Sequence, residues 1–265
     1  MKSGVNIISL LTDFSFKDNF VGVMKGVILK VNPEAKIVDI CHGVKPQGLL
    51  EAALLLRSAF HYFPSGTAHL VVVDPQVGSK RKKILVRTKN YFFIAPDNGV
   101  LSLALKEEPA IEIIEITNER YFLKPLSDTF HGRDIFAPVA AYVARGLDIK
   151  EFGRKIDSFQ VLELPKVKIT SQSLVGEVIY IDHFGNLVSN IDAKTFRNFT
   201  KNKIFKVFIK DKIINHLSHS YAKGLTSKPL VLIDSFNYLE IALRDGSASD
   251  YLAVEKAEKV VINRI

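Results

Sequence analysis

The spacing of apolar residues changes character along the chain. Residues 6–12 (NIISLLT) form a short, nearly continuous apolar run, the pattern of a strand covered on both faces. Phe20, Val23, Met24, Val27, Ile28 and Val31 then recur at helical spacing. A helix is predicted there, capped by Asp18 or Asn19 and stopped by Asn32-Pro33. Residues 36–40 (KIVDI) read as a second strand and residues 48–63 as a second helix, with Leu49, Ala52, Ala53, Leu56 and Ala59 on one face. The turn PSGT leads into a third strand at residues 69–73. This β-α-β-α-β order predicts a mostly parallel sheet with helices on its faces.

Residues 83–88 and 91–95 read as two more strands, with a turn at Asp97-Asn98-Gly99. A helix at 100–106, a strand at 111–116 and a helix at 133–145 ending at Gly146 follow. Beyond Pro165 the pattern shifts. SLVGEVIYID, GNLVSNI, KIFKVFIK, PLVLIDS, YLEIALR and YLAVEKAEKVVINRI are short strands joined by turns, with no helix longer than two turns. The expected architecture is an α/β N-terminal domain with a mostly parallel sheet, residues 1–165, followed by a smaller all-β, barrel-like C-terminal domain, residues 166–265. No internal repeat, low-complexity tract or flexible linker interrupts it.

Composition narrows the function class. At 265 residues and 47% hydrophobic, the chain can bury a sizeable core. Its single cysteine, Cys41, rules out an intrachain disulfide and fits a reducing compartment. No apolar run reaches the ~18 residues of a membrane span. The start, MKSGVNIISLLTDFSFKDN, does not read as a signal peptide, because its short apolar stretch runs into Asp13. A cytoplasmic protein without a membrane partner is expected. The net charge of +8 comes from 36 basic and 28 acidic residues. The lysines are scattered, with small clusters at residues 80–83 and 201–206, and no basic stripe with interleaved aromatics is present. Solvated surface charge is expected rather than a nucleic-acid site.

The three early strands all run into polar groups: Asp13, His42 and Asp74. In an open α/β sheet, ligands bind beyond the carboxyl ends of the strands. One such aspartate alone reads as a turn residue or cap, but three on one edge favour a site. In VVVDPQVGSKRKK, Pro75 fixes the backbone after Asp74, and Arg81 lies seven residues on, across a loop containing Gly78. The two can pair as a purely structural ion pair, or orient a water and stabilise developing hydroxide. A phosphate loop is excluded, since no GxxxxGK[ST] is present.

In TFHGRDIFAPVAA, His131 sits between Phe130 and Gly132, where backbone can approach a ligand. No HExxH, no CxxC and no third ligand at metal spacing occur, so no metal site is expected. IDHFGNLVSN places Asp182, Phe184 and Asn186 around one turn. That is an ordinary hairpin, or a base-recognition turn with an aromatic face and an amide for a purine edge. DSFNYLEIALRDGSA offers Ser235 and Glu240 at another turn and strand.

Together, LTDFSFKDNFVGVMKGV, DICHGVKPQGLLEAA, YFPSGTAHLVVVDPQVGSKRK, APDNGVLS, TFHGRDIFAPVAA, IDHFGNLVSNI and SFNYLEIALRDGSA cover nearly the whole chain. In this order they resemble the S-adenosyl-L-methionine hydrolases (SAM hydroxide adenosyltransferases), relatives of the fluorinases and chlorinases. The resemblance implies hydrolysis of S-adenosyl-L-methionine to adenosine and L-methionine by water attacking ribose C5′, with no cofactor besides the substrate. It implies a homotrimer holding substrate between the N-terminal domain of one subunit and the C-terminal domain of the next. It places an Asp-Arg-His triad on Asp74, Arg81 and His131, the ribose hydroxyls on Asp13, and the methionine end near Asp18. Asp182, Phe184 and Asn186 then contact methionine and adenine groups. Ser235, Glu240 and Leu243 form the last binding segment, Leu243 through its backbone.

Halide-using relatives carry a tyrosine where Asp74 stands and lack the His131 counterpart, so hydrolysis is expected over halogenation. Two other readings are a protein that binds adenosine or S-adenosyl-L-methionine without turnover, and a basic nucleic-acid binder. The chain departs from the family pattern at three points. Gln76 replaces a glycine of D-P-G-V-G, Ser15 replaces the glycine of T-D-F-G, and Phe20 replaces a tyrosine. If position 76 needs φ > 0, Gln76 strains the loop.

Overall fold

The computed structural model describes residues 6–201 and 203–265. The chain divides into two units, Met1–Glu163 and Leu164–Ile265.

The first unit contains β1 (Ile7–Thr12), α1 (Phe20–Val31), β2 (Lys36–Cys41), α2 (Leu49–Ala59), β3 (Ala68–Val72), β4 (Lys83–Arg87) and β5 (Phe92–Pro96). It continues with α3 (Ser102–Glu107), β6 (Glu112–Ile116), α4 (Ala137–Ala144) and β7 (Gly153–Ile156). The sheet runs β2-β1-β3-β5-β4-β6-β7. β1 is parallel to β2 and β3, and β3 is parallel to β5. The pairs β4–β5, β4–β6 and β6–β7 are antiparallel.

The sheet is therefore mixed: the expected parallel pairing holds from β2 through β5, and the pairs beyond β5 are antiparallel. The reason lies in the connection at residues 88–91, which is too short for a crossover helix and forces β5 to run back beside β4. The Thr88 and Tyr91 backbones and the Thr88 hydroxyl close that turn. β7 (GRKI) was not predicted, because its polar, partly exposed residues carry no strand pattern.

Side chains alternate along β1 and β3 between two cores, as a pleated strand requires. On one face Ile8, Leu10, Leu70 and Val72 pack with Met24 and Ile28 of α1 and with Val139 and Val143 of α4. On the other, Leu11, Val71 and Val73 pack with Ala52 and Leu56 of α2 and with Ala104 and Leu105 of α3. Burial on both faces is why these strands read as continuous apolar runs. Each buried valine, leucine, isoleucine or methionine among them contributes roughly 1.5–3 kcal/mol. Asn19 occupies the N-cap of α1, but its side chain makes no cap hydrogen bond. Phe20, expected on the inner face, is 41% exposed, and Val21 is buried instead. The helix expected at 133–145 begins as a π-helical turn, Gly132–Phe136, that runs into α4.

The second unit contains β8 (Lys168–Ile169), β9 (Ser173–Ile181), β10 (Leu187–Asp192), α5 (Ala193–Thr200), β11 (Phe205–Ile209), β12 (Lys212–Ile214), β13 (Pro229–Ile233), β14 (Tyr238–Leu243), α6 (Ala248–Leu252) and β15 (Lys259–Arg264). Its sheet runs β12-β11-β15-β9-β10-β14-β13, with β8 beside β9, and every strand pair in it is antiparallel. The end strands β12 and β13 approach each other, so the sheet nearly closes into a barrel. Leu174, Val178, Leu187, Ile191, Val207, Val231, Leu239 and Ile262 fill the interior. The two-turn helix α5 starts where Asp192 Oδ1 accepts from the Thr195 N–H at 2.8 Å. Among the described residues no helix is long and apolar enough to cross a membrane.

Candidate active site

Because β1, β2 and β3 run parallel, their carboxyl ends share one edge of the sheet. Asp13, His42 and Asp74 follow those ends. Asp13 Oδ2 accepts from the Gln47 N–H at 2.8 Å. Burial pushes its carboxyl above the ordinary aspartate value, and the Asp74 charge adds to this, against the hydrogen bonds from backbone N–H groups. The turn after Asp13 is held by His42, whose carbonyl accepts from Ser15 N–H at 2.7 Å.

Asp74 and Arg81 pair directly. Arg81 Nε lies 2.7 Å from Asp74 Oδ1 and 2.9 Å from Oδ2, and Nη2 also donates to Oδ2. The two side chains are 5% and 2% exposed. Such a fork-on-carboxylate contact fixes both groups in a dry setting. Arg81 Nη2 also lies 2.9 Å from His131 Nδ1. A guanidinium can only donate, so Nδ1 is the acceptor and the ring proton sits on Nε2. Burial holds His131 below its ordinary value, and the Arg81 and Lys83 charges reinforce this against Asp74 and Asp128. The imidazole is neutral. Arg81 Nη1 is buried with no hydrogen-bond partner among the described residues, and the guanidinium lies 5.5 Å from the Phe136 ring centre.

The connecting loop explains how this pair forms. Gly78 has φ of 79°, and a Cβ there would lie 2.5 Å from the Asp128 carbonyl oxygen. Glycine is thus required where the loop crosses the segment before His131. Gln76 is exposed and is not among the residues with positive φ, so its replacement of glycine introduces no backbone strain. Ser15 is the residue that adopts a left-handed φ, 53°. On the other side, the fully buried Asp134 accepts from Ser127 N–H at 2.8 Å and from Arg133 Nε at 2.6 Å. That tethers the loop leading to His131. Asn98, in the predicted turn, donates its side-chain N–H to the Val73 carbonyl at 2.8 Å and pins the end of β3. Asp18 is exposed and borders a groove of about 430 Å³ with Phe16, Asn19 and Lys25. Among the described residues it forms no hydrogen bond or ion pair with Asp74, Arg81 or His131.

In the second unit, Asp182 organises its turn. Its Oδ1 accepts from Phe184 N–H at 2.9 Å and Asn186 N–H at 2.8 Å, and its Oδ2 accepts from Asn186 Nδ2 at 2.8 Å. This leaves Phe184 projecting, 73% exposed. Asp182, Phe184, Asn186 and Leu243 line one cleft of about 610 Å³, with Tyr221 and Arg244 beside them.

The other predicted residues of this unit lie elsewhere. Ser235 is exposed on the turn before β14 and does not line the cleft. Glu240 is 3% exposed, and its Oε1 accepts from the Tyr221 hydroxyl at 2.9 Å. Burial, aided by Asp234 and Asp182, pushes the Glu240 carboxyl up to about 7 against the Tyr221 hydrogen bond. Tyr221, not Glu240, therefore faces the cleft. The sequence reading missed Tyr221; the only signal was one aromatic within the polar segment SHSYAKG.

Residues 8–153 match the family model for the SAM hydroxide adenosyltransferase N-terminal domain, and residues 176–261 match that for the C-terminal domain. The chain belongs to the SAM hydroxide adenosyltransferase family. Among its relatives, an (R)-S-adenosyl-L-methionine hydrolase of Methanocaldococcus jannaschii is 37% identical over 97% of this chain and 96% of its own length. A fluorinase from an Actinoplanes species is 28% identical over 71% of this chain and 72% of its own. The crystal structure of an uncharacterized conserved protein from Thermotoga maritima superposes with a TM-score of 0.91 at 39% identity, covering 97% of this chain and 100% of that one. In this SAM hydroxide adenosyltransferase family member, Asp74, Arg81 and His131 fall in the first matched domain and the Asp182 turn in the second.

Proposed function

We propose that the chain hydrolyses S-adenosyl-L-methionine to adenosine and L-methionine. The relatives named (R)-S-adenosyl-L-methionine hydrolase support this, and point to the (R) sulfonium epimer as substrate. The observation that carries the reading is Arg81: a buried guanidinium, clamped by Asp74 and His131, with Nη1 left without a hydrogen-bond partner among the described residues. That N–H is the group to hold an attacking water.

In this reading the water oxygen attacks ribose C5′, the C5′–S bond breaks, and its electron pair leaves with sulfur as the neutral thioether of methionine. The leaving group needs no acid, and the step needs no metal or cofactor. What the site must supply is a positioned, partly deprotonated water. His131 Nδ1 is committed to Arg81, so the imidazole acts as an acceptor that holds the guanidinium. Asp74 Oδ1, which among the described residues accepts from Arg81 Nε, keeps a lone pair for the water proton, and Arg81 stabilises the developing hydroxide. Asp13 binds the ribose hydroxyls and Asp18 the methionine end. In the second unit, Phe184, Asn186 and the Leu243 backbone bind the adenine and Asp182 orders their turn. Glu240 acts through Tyr221, and Ser235 is kept in the last binding segment on family resemblance.

We extend the reading to a cytoplasmic homotrimer, the trimer on family resemblance and the compartment on composition. Incubating the protein separately with the (R) and (S) epimers and measuring free adenosine tests the activity. Adenosine and methionine in equal amounts, faster from the (R) epimer, support it. Tight binding with no adenosine would instead leave a binding protein. Sedimentation equilibrium tests the trimer.

A further inference from the structure

We infer that His42 is a positioning residue for the reaction: it sets the turn that presents Asp13 to the ribose. This rests on the hydrolase reading above, and in particular on Asp13 as the ribose ligand.

His42 touches that turn at both of its ends. On the near side, the His42 Nδ1 atom lies 2.8 Å from Thr12 Oγ1, and the same Oγ1 accepts from the Phe14 N–H at 3.2 Å. On the far side, the His42 carbonyl accepts from the Ser15 N–H at 2.7 Å, with Ser15 in its left-handed conformation. Asp13 lies between these two anchors. The turn is thus tied to a single residue of the neighbouring strand end, through its ring and through its backbone.

The ring itself is held from behind. Its Nε2 lies 3.1 Å from Asp39 Oδ1, in ion-pair contact but outside hydrogen-bond geometry, and Asp39 Oδ2 is paired with Lys25 at 2.6 Å. Two lone pairs would repel at 3.1 Å, so Nε2 carries the proton and Nδ1 accepts from the Thr12 hydroxyl. The donor order is then set from the Phe14 N–H to Thr12 and from Thr12 to His42, with the Nε2–H lying beside the Asp39 carboxylate. Burial holds the imidazole below its ordinary value although Asp39 opposes it, which keeps the ring neutral and Nδ1 an acceptor. Phe16 covers the ring edge-on at 4.8 Å. The imidazole is fully buried and lines neither cleft. It acts on the ligand only through Asp13.

A positioning role makes a prediction that a merely structural role does not. If His42 sets Asp13, its loss should weaken recognition of the ribose hydroxyls selectively. Three variants separate the links: Thr12→Val cuts ring from turn and is nearly isosteric, His42→Gln removes the ring, and Asp39→Asn loosens its rear support at a half-exposed site. The measurement is the Kd for adenosine and for 2′-deoxyadenosine, alongside KM and kcat for S-adenosyl-L-methionine and thermal unfolding.

Loss of one such hydrogen-bonded link should weaken adenosine binding roughly 3- to 10-fold. 2′-Deoxyadenosine binding should change less than about twofold, KM should follow the adenosine Kd, and kcat should move less. The double variant Thr12→Val/His42→Gln should be no worse than the poorer single variant, since both cut one path. Equal weakening of both nucleosides, or additive effects of the two substitutions, would overturn the inference. The wild-type nucleoside Kd values are read without turnover. A protein that formed no adenosine would refute the hydrolase reading, while the adenosine-to-deoxyadenosine ratio would still decide the role of His42.

Discussion

Ser15 donates its N–H to the His42 carbonyl at 2.7 Å while holding a φ of 53°. That conformation costs an L-residue roughly 1–2 kcal/mol, and glycine almost nothing. The motif T-D-F-G of related sequences places glycine at this position. Replacement Ser15→Gly should therefore stabilise the protein by about 0.5–1 kcal/mol, the gain reduced by the greater freedom of glycine when unfolded. The Tm should rise by roughly 1–4 °C in thermal unfolding. A lower Tm would show that the Ser15 hydroxyl, which accepts from Lys17 N–H, matters more than the strain.

The Asp74–Arg81 pair depends on the planar fork of arginine. Arg81→Lys keeps the charge but cannot reach both carboxylate oxygens and His131 at once. Adenosine formation should fall roughly 10²–10⁴-fold in this variant, measured as single-turnover rate. Near-normal turnover in Arg81→Lys would remove the guanidinium from the mechanism.

His131 offers a sharper division of roles. If its task is to accept from Arg81 Nη2, a glutamine carbonyl can partly replace it and leucine cannot. His131→Gln should therefore retain at least tenfold more activity than His131→Leu, the order expected for one retained hydrogen bond to a charged group. Equal losses in both variants would mean that the imidazole itself moves the proton.

Gly78 is the hinge that lets Arg81 return to Asp74. Alanine there meets the Asp128 carbonyl oxygen and must hold a φ of 79°. Gly78→Ala should cost at least roughly 1–2 kcal/mol, read from the urea midpoint, with a matching loss of turnover. Gln76→Gly, two residues earlier, should change stability little, since its backbone needs no such conformation.

Glu240 gives a pH dependence with a definite sign. Its folded carboxyl is pushed from an ordinary 4.5 up to about 7. The folded protein thus holds this proton more tightly than the unfolded chain does. The contribution is fully present below about 4.5 and is lost as pH rises through about 7. Glu240→Gln cannot ionise and still offers an oxygen to Tyr221. Its stability relative to the wild type should improve between pH 5 and 8, by something on the order of 3 kcal/mol. Parallel stability curves across that window would contradict the assignment.

The sequence was most legible where one force acted alone. The α1 boundaries follow directly from its apolar period and the Asn32-Pro33 stop, and the Asp74–Arg81 contact follows from a strand end, a glycine and seven residues of reach. Sheet direction was less legible, since β1 to β3 set a parallel pattern that the short turn at Thr88–Tyr91 then reversed. The π-helical turn at Gly132–Phe136 leaves the same sequence trace as an α-helix. In the second unit, burial separated residues the pattern had grouped: Glu240 points inward to Tyr221, whereas Ser235 stays on an exposed turn. No local spacing connects Tyr221 to Asp182, because the strands between them close the cleft only in three dimensions.

The clamp between Asp74 and Arg81 has a last consequence. One negative and one positive group, both nearly sealed from solvent, cancel at close range. A nucleophile arriving at Arg81 Nη1 meets a donor belonging to an electrically neutral pair. An anion would need to shed its hydration without gaining a net countercharge, whereas water loses little. Discrimination between water and dissolved anions can thus come from charge balance, with no need for a pocket cut to the size of either.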